Sequence, residues 1–198
     1  IQEYQDHEGY DSETYPLGLF TKDYYKSEAE FAQRTLNELS KIDTSDLSET
    51  DQISAELLAF VLQDKIDFYE FEQYLNPLLS DYGFHSSLTY EVRPLSNYKQ
   101  TKEYLAKLNA LPEFVNQHLE NLREGLEKGV SQPLVIFNGY ESTYEDHIVD
   151  TYEDSFYYSP FKNLPSDLSE TQKDSVLSAA KNAIETNVTP QCERIKSF

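Results

Sequence analysis

The sequence predicts an all-α fold, an irregular multi-helix array of about six helices. Apolar residues recur every three or four positions through most of the chain, which places them along one face of a helix. Serines that suit helix N-caps precede three of these segments, at Ser27, Ser48 and Ser169. Apolar and polar residues alternate, as in a strand, only near 87–93, where at most a short extended segment is expected.

The composition fits one ordinary domain whose core is rich in aromatic side chains. The 198 residues include 16 Tyr and 11 Phe, and 36 acidic against 16 basic residues give a net charge of −20. This charge disfavours nucleic acid and anionic membrane surfaces as partners, because phosphate groups are bound by clustered Lys and Arg. Cys192 is the only cysteine, so no internal disulfide and no thiolate metal cluster can form. No run approaches the ~20 apolar residues that span a bilayer.

Two regions are distinguished along the chain, an acidic lead-in over 1–24 and a helical region over 25–198. The sequence begins at Ile1 and contains no Met, so Ile1 is not a translation start. The helical pattern continues to Phe198 without a stop signal. Further sequence is therefore expected at both ends.

The first helix is predicted over 25–42, with Ser27 as its N-cap. Ser48 opens a second, longer helix that runs to about Leu75 and ends before Pro77, because the residue before a proline is pushed out of the α region. The predicted inner face of this second helix consists of Ile53, Leu57, Val61, Phe68, Phe71 and Leu75.

The strongest helical pattern lies over Tyr98–Gly129 and predicts two helices broken at Leu111-Pro112. The segment before it, 78–97, lacks a helical period and contains two candidate reactive groups, His85 and Arg93. No partner residue follows His85 at a useful spacing, so a structural role is the simpler interpretation.

Residues 131–154 predict another helix, and 154–168 an aromatic-rich loop. Tyr144, His147 and Asp150 permit two interpretations, a polar site or an aromatic stripe with a hydrogen-bonded histidine, and the second is the simpler. The candidate substrate-binding residues of this region are Tyr144, His147, Tyr157, Tyr158 and Phe161.

Ser169 caps the last predicted helix, which Pro190 should kink or split at Thr189. Ile195 and Phe198 continue its apolar stripe to the end of the chain. Because uncovered apolar side chains recruit a partner, this helix is expected to mediate dimerisation or to fray.

Motifs of the common catalytic sites are absent from the sequence. There is no HExxH, no GxSxG, no P-loop and no GxGxxG. The four histidines, at 7, 85, 118 and 147, lie far apart, so no metal or catalytic residue is assigned from spacing.

Three stretches resemble the N-terminal part of the bacterial domain-of-unknown-function 885 family. They are EQYLNPLLSDYG at 72–83, the run at 97–133, and the segment at 155–198 with its aromatic-x-Pro-Phe and Val-x-Pro patterns. In the second stretch the residues that match the family's run are Tyr98, Tyr104, Leu105, Leu108, Pro112, Leu122, Arg123, Gly125, Gly129 and Pro133. The chain departs from the pattern at Lys107, where the family has Arg, and at Gln191-Cys192, where it has Ala-Tyr.

The resemblance implies an all-helical protein related to gluzincin-type zinc metallopeptidases, often exported or lipid-anchored in bacteria. In that family a His-Glu-x-x-Pro-Gly-His motif lies downstream of these segments, and this chain does not contain it. The resemblance therefore implies a non-catalytic N-terminal part that forms one wall of a substrate channel. Zinc is expected in the intact protein and not in this chain, and the expected partners are the C-terminal catalytic part and a peptide substrate. The alternative is a non-catalytic module of an exported lipoprotein that binds a peptide or a partner.

Overall fold

A computed structural model describes residues 7, 9–78 and 83–198. Every regular element in these residues is helical, and Leu78 and Gly83 form one isolated β-bridge. The predicted all-α fold is therefore confirmed. No helix in the described ranges is long and apolar enough to cross a membrane. The chain divides into two compact units, the first of Ile1–Asp11 and Leu19–Leu75 and the second of Ser12–Gly18 and Asn76–Phe198.

Helix α1 of the first unit spans Lys22–Leu39, and its N-cap is Thr21 rather than the predicted Ser27. The Thr21 hydroxyl accepts the Tyr24 amide at 3.2 Å. Ser27 lies inside the helix, where its hydroxyl donates to the Tyr24 carbonyl. The prediction failed because two residues with good capping chemistry lie less than two turns apart, and the helix begins at the first.

Helix α2 spans Glu49–Glu70 and is capped by Ser48, as predicted. It ends earlier than expected, because Glu72 adopts a left-handed backbone (φ 51°) and a 3₁₀ turn follows over Gln73–Leu75. The predicted inner face of α2 is wrong at four of its six positions. Ile53, Leu57, Val61 and Phe71 are exposed, whereas Phe68 is half-buried and Leu75 is buried.

The core between α1 and α2 contains Ala32, Leu62 and Ile66, with Leu36, Leu39 and Leu58 packed against it. Helix α2 carries apolar residues on more than one side, so periodicity alone did not identify the stripe that meets α1. A buried carboxylate borders this core. Glu28 accepts hydrogen bonds from Lys65 (2.7 Å) and from His7. Burial opposes its ionisation, but these hydrogen bonds outweigh burial and hold the Glu28 pKa below its usual value.

The second unit begins its helical part with α3 (Phe84–Ser87) and a 3₁₀ helix (Leu88–Glu91). The short extended segment expected near 87–93 is therefore helical for most of its length. Helix α4 follows over Tyr98–Glu127, capped by Asn97, whose side chain accepts the Gln100 amide.

Helix α4 is continuous through Pro112, so the predicted break is wrong. A proline inside a helix removes one hydrogen bond, here to the carbonyl of Leu108. The buried residues Leu108, Leu111, Val115 and Leu119 keep one stripe on both sides of the proline. Packing of that stripe against a single core outweighs the local preference for a break.

The helix predicted over 131–154 is also wrong. The chain instead forms a 3₁₀ helix at Leu134–Phe137, the short helix α5 at Ser142–Glu145 and a 3₁₀ helix at Tyr152–Asp154. Gly139, with a left-handed backbone (φ 81°), interrupts the segment. The loop predicted at 154–168 contains a 3₁₀ helix at Phe156–Asn163.

Helix α6 (Glu170–Ala183) is capped by the predicted Ser169, and Gln172 completes a capping box. A π-helical turn at Ile184–Val188 joins α6 to α7 (Thr189–Ser197). The helix type changes where a kink or split is predicted: the π turn ends at Val188 and α7 begins at Thr189, with Pro190 in its first turn. Dimerisation or fraying of α7 stays a prediction.

Candidate functional site

An apolar cavity of about 360 Å³ lies in the second unit, where the C-terminal half of α4 meets α3, α5 and α7. This volume is within the range of pockets that take small ligands. Its apolar lining consists of Leu78, Phe84, Leu119, Leu122, Leu126, Val130, Phe137, Ile195 and Phe198. Its polar lining consists of Asn76, His85, Ser131, Gln132, Tyr140, Glu141, Tyr144 and Lys196.

Helix α4 supplies one wall because Leu119, Leu122 and Leu126 follow at three- and four-residue spacing, which aligns them on one face. Gly129 then adopts a left-handed backbone (φ 77°), as expected of a residue just past a helix end. The chain turns there, and the next residues return to the cavity. The Gln132 side chain donates to the Leu78 carbonyl at 2.8 Å, which ties this turn to the segment before α3.

The hydrogen bonds of His85 determine its tautomer. The Thr143 hydroxyl donates to the Tyr140 carbonyl at 2.6 Å, so it can only accept from His85. Nε2 of His85 lies 2.7 Å from that hydroxyl oxygen and therefore carries the proton. Nδ1 is left as an acceptor, buried and without a hydrogen-bond partner in the described residues.

His85 is also uncharged at neutral pH. Burial, together with the nearby His147, lowers the His85 pKa to about 4. Aromatic rings surround the imidazole, with the Tyr140 centroid 5.0 Å and the Tyr144 centroid 6.1 Å from it, both edge to face. The cavity therefore gains a neutral aromatic wall from His85 and no positive charge.

Gly83 is required beside this histidine for steric reasons. A Cβ atom at this position would lie 2.5 Å from the Tyr140 hydroxyl oxygen and 2.8 Å from Nδ1 of His85. Both distances are far shorter than a normal contact, so a side chain at this residue would displace the two rings. The glycine that closes the stretch at 72–83 thus has a local packing role.

Two charged side chains, Glu141 and Lys196, line the cavity. The Lys196 ammonium lies 2.8 Å from a Glu145 carboxylate oxygen, and this ion pair raises the Lys196 pKa. Glu141 lines the cavity and is exposed. The Tyr144 pKa is raised by burial first and then by Glu141 and Glu145, while Lys196 opposes them. Negative charge therefore predominates around the Tyr144 hydroxyl.

The structure does not bring the five predicted substrate-binding residues together. Tyr144 lines the cavity. His147 packs on Tyr157, with 4.9 Å between ring centroids. Tyr157, Tyr158 and Phe161 are buried in the core, where the Tyr104 hydroxyl donates to the Tyr157 carbonyl. Substrate binding by these residues stays a prediction.

The described residues do not fit a zinc site. They contain no group of three or more His, Cys, Asp and Glu side chains that could hold a metal ion. His118, which follows the apolar face of α4, packs against the rings of Phe84 (4.5 Å) and Phe114 (4.7 Å). Burial lowers its pKa to about 3, so it is a neutral core histidine.

A second, larger groove of about 910 Å³ runs along the N-terminal half of α4. Four cations line it, of which three have acidic partners and the fourth, Lys102, lies over the Tyr98 ring at 5.1 Å. Lys107 and Arg93 both pair with Glu91, at 2.6 and 3.6 Å, and Lys99 pairs with Glu103 at 3.6 Å. This groove lacks the aromatic enclosure of the cavity, which is the better candidate for a binding site.

A family model described as a bacterial protein of unknown function (DUF885) matches residues 5–198. The chain belongs to the DUF885 family. The resemblance found in the sequence is therefore confirmed, and the DUF885 match includes every residue of the cavity. No curated protein and no solved structure matches this DUF885 chain.

Proposed function

We propose that this DUF885 chain is the non-catalytic helical part of a bacterial zinc-dependent peptidase, and that its cavity forms part of the wall that holds the peptide substrate. The zinc and its ligands would come from another part of the enzyme, since the described residues do not fit a zinc site. The relation to zinc peptidases rests on the resemblance described above. The observation that supports substrate binding is the cavity itself.

The cavity has the size and chemistry of a pocket for one apolar side chain. Its volume of about 360 Å³ exceeds that of any single side chain, and most of its wall is aliphatic or aromatic. Burying a large apolar side chain contributes ~1.5–3 kcal/mol, enough to select among peptides. The neutral His85 adds no charge that would oppose an apolar group.

Peptide hydrolysis by the full-length gene product tests this function. We expect the zinc-loaded protein to cleave fluorogenic peptides and a chelator to abolish the cleavage. Leu126 is exposed at the cavity edge, so Leu126→Trp should fill the cavity without disturbing the core. This variant should raise KM by about tenfold, the loss of ~1.4 kcal/mol of binding, with its zinc content unchanged. Leu57→Trp, on the exposed side of α2, is the matched control.

Two results would contradict the proposal. The first is cleavage that survives removal of all metal. The second is a full-length protein that hydrolyses no peptide with zinc present. Peptide binding in that second case, weakened by Leu126→Trp, would favour a non-catalytic binding module instead.

Location outside the cytoplasm, in the periplasm or on a lipid anchor, is proposed from the family resemblance alone. Fractionation of cells that express the full-length gene tests it. Recovery in the cytoplasmic fraction would contradict it.

A further inference from the structure

Two charged residues line the cavity, Glu141 and Lys196, and Glu145 lies beside them as the ion-pair partner of Lys196. Glu141 and Glu145 carry two negative charges, and Lys196 carries one positive charge. The Lys196 ammonium is held by Glu145 at 2.8 Å, so its charge is already compensated. Glu141 has no ion-pair partner among the described residues and is exposed to solvent. An incoming ligand would therefore meet an uncompensated carboxylate.

The other groups near the cavity do not reverse this sign. His85 lines the cavity in its neutral form. Arg123 is not a lining residue, and its guanidinium is engaged with the ring of Phe198, which is one, 5.3 Å from the centroid. Glu141 is the charged lining residue without an ion-pair partner among the described residues. The chain as a whole carries −20, which favours the approach of cations over anions.

We propose that the cavity selects peptides in which an apolar residue is next to a basic one, with the apolar side chain inside the cavity and the Lys or Arg charge at Glu141. This inference deepens the proposed function, on which its identification of the ligand as a peptide rests. The apolar side chain would contact Leu122, Leu126 and the aromatic rings of the lining. The basic group would add cation–π attraction to the Tyr144 ring.

Three capped dipeptides that share the Phe residue and differ in the second side chain provide the test: acetyl-Phe-Lys-amide, acetyl-Phe-Gln-amide and acetyl-Phe-Glu-amide. Binding to the 198-residue chain is followed by NMR titration at low salt, without any hydrolysis assay. We expect the Lys peptide to bind most tightly and the Glu peptide most weakly, with about tenfold between them for one charge contact near the surface. Raising the salt to 1 M should reduce this ratio, because the Debye length then falls to about 3 Å.

Single substitutions test which side chain causes the preference for the Lys peptide. Glu141→Gln should reduce the Lys-over-Glu ratio severalfold, whereas Glu120→Gln, an exposed carboxylate of α4 outside the cavity, should leave it unchanged. Lys196→Gln should increase the ratio, because it releases Glu145 from its ion pair. Leu126→Trp should weaken all three peptides alike.

Equal binding of the three peptides, or tightest binding of the Glu peptide, would overturn the proposal. A ratio insensitive to Glu141→Gln, or equally reduced by Glu120→Gln, would overturn it as well. These outcomes are separate from the peptidase question. Charge-selective binding with no hydrolysis by the full-length protein would reject the proposed function alone, and zinc-dependent hydrolysis with no charge selectivity would reject this inference alone.

Discussion

Replacing Gly83 by alanine tests whether the rings beside the cavity are as closely packed as described. The backbone of Gly83 is extended (φ −152°), a conformation that alanine adopts without strain, so in the folded state the substitution acts through the contacts of the added methyl group. Its Cβ would lie 2.5 Å from the Tyr140 hydroxyl oxygen, about 0.9 Å closer than ordinary contact begins. Overpacking of this kind costs about 1–3 kcal/mol, and we expect Gly83→Ala to lower the free energy of unfolding by about 2 kcal/mol.

A double-mutant cycle separates this clash from other effects of the substitution. Tyr140→Phe removes the atom nearest to the new methyl group. The double variant should therefore be more stable than the sum of the two single changes predicts, by at least about 1 kcal/mol. Urea unfolding followed by circular dichroism supplies the four values. Additivity within about 0.5 kcal/mol would refute the contact between residue 83 and the Tyr140 hydroxyl.

Three further predictions concern the helices. Leu62→Ala should destabilise the chain by about 3 kcal/mol in urea unfolding, because Leu62 is fully buried. Leu57 on the same helix is 61% exposed, so Leu57→Ala should destabilise the chain by less than about 0.5 kcal/mol. Equal losses of stability would contradict the orientation of α2. The free energy of unfolding should fall as the pH drops from about 6.5 toward 4, because the histidines bind protons in the unfolded chain but stay neutral where they are buried in the folded chain. His118→Leu should make the free energy of unfolding depend less on pH in this range. An unchanged pH dependence would contradict a neutral His118. Pro112→Ala should raise the melting temperature, because it restores a hydrogen bond to Leu108 inside α4, and a lower melting temperature would argue against a continuous helix.

Capping residues predicted helix starts where a single candidate was present. Ser48 and Ser169 each precede a helix, and each accepts the backbone amide three residues on. Near Ser27 a second candidate, Thr21, was closer to the true start. A local signal of about 1 kcal/mol cannot decide between two such residues without knowledge of the tertiary contacts of the first turn.

Proline and glycine predicted helix ends less reliably than capping residues predicted helix starts. Pro112 was expected to end a helix, but the buried stripe of α4 continues across it. Gly139 lies inside the helix predicted over 131–154, yet its left-handed backbone interrupts the region between the 3₁₀ helix Leu134–Phe137 and α5. The loss of one hydrogen bond at a proline is small beside the burial of several apolar side chains, whereas a positive φ cannot continue a helix.

The cavity could not be read from any single stretch of sequence, because its walls come from four distant segments. Phe84 and His85, Leu119 to Leu126, Tyr140 to Tyr144, and Ile195 to Phe198 meet only in the folded second unit. The sequence predicts Tyr144 as a binding residue and a structural role for His85, because no partner of His85 lies nearby in sequence. Its partner is Thr143, 58 residues away. Such a site has no motif, since it depends on which side chains line one volume in the folded chain and on the charges among them. The same feature makes the peptide-binding proposal testable with conservative changes, because Glu141→Gln alters one charge while leaving the apolar walls intact.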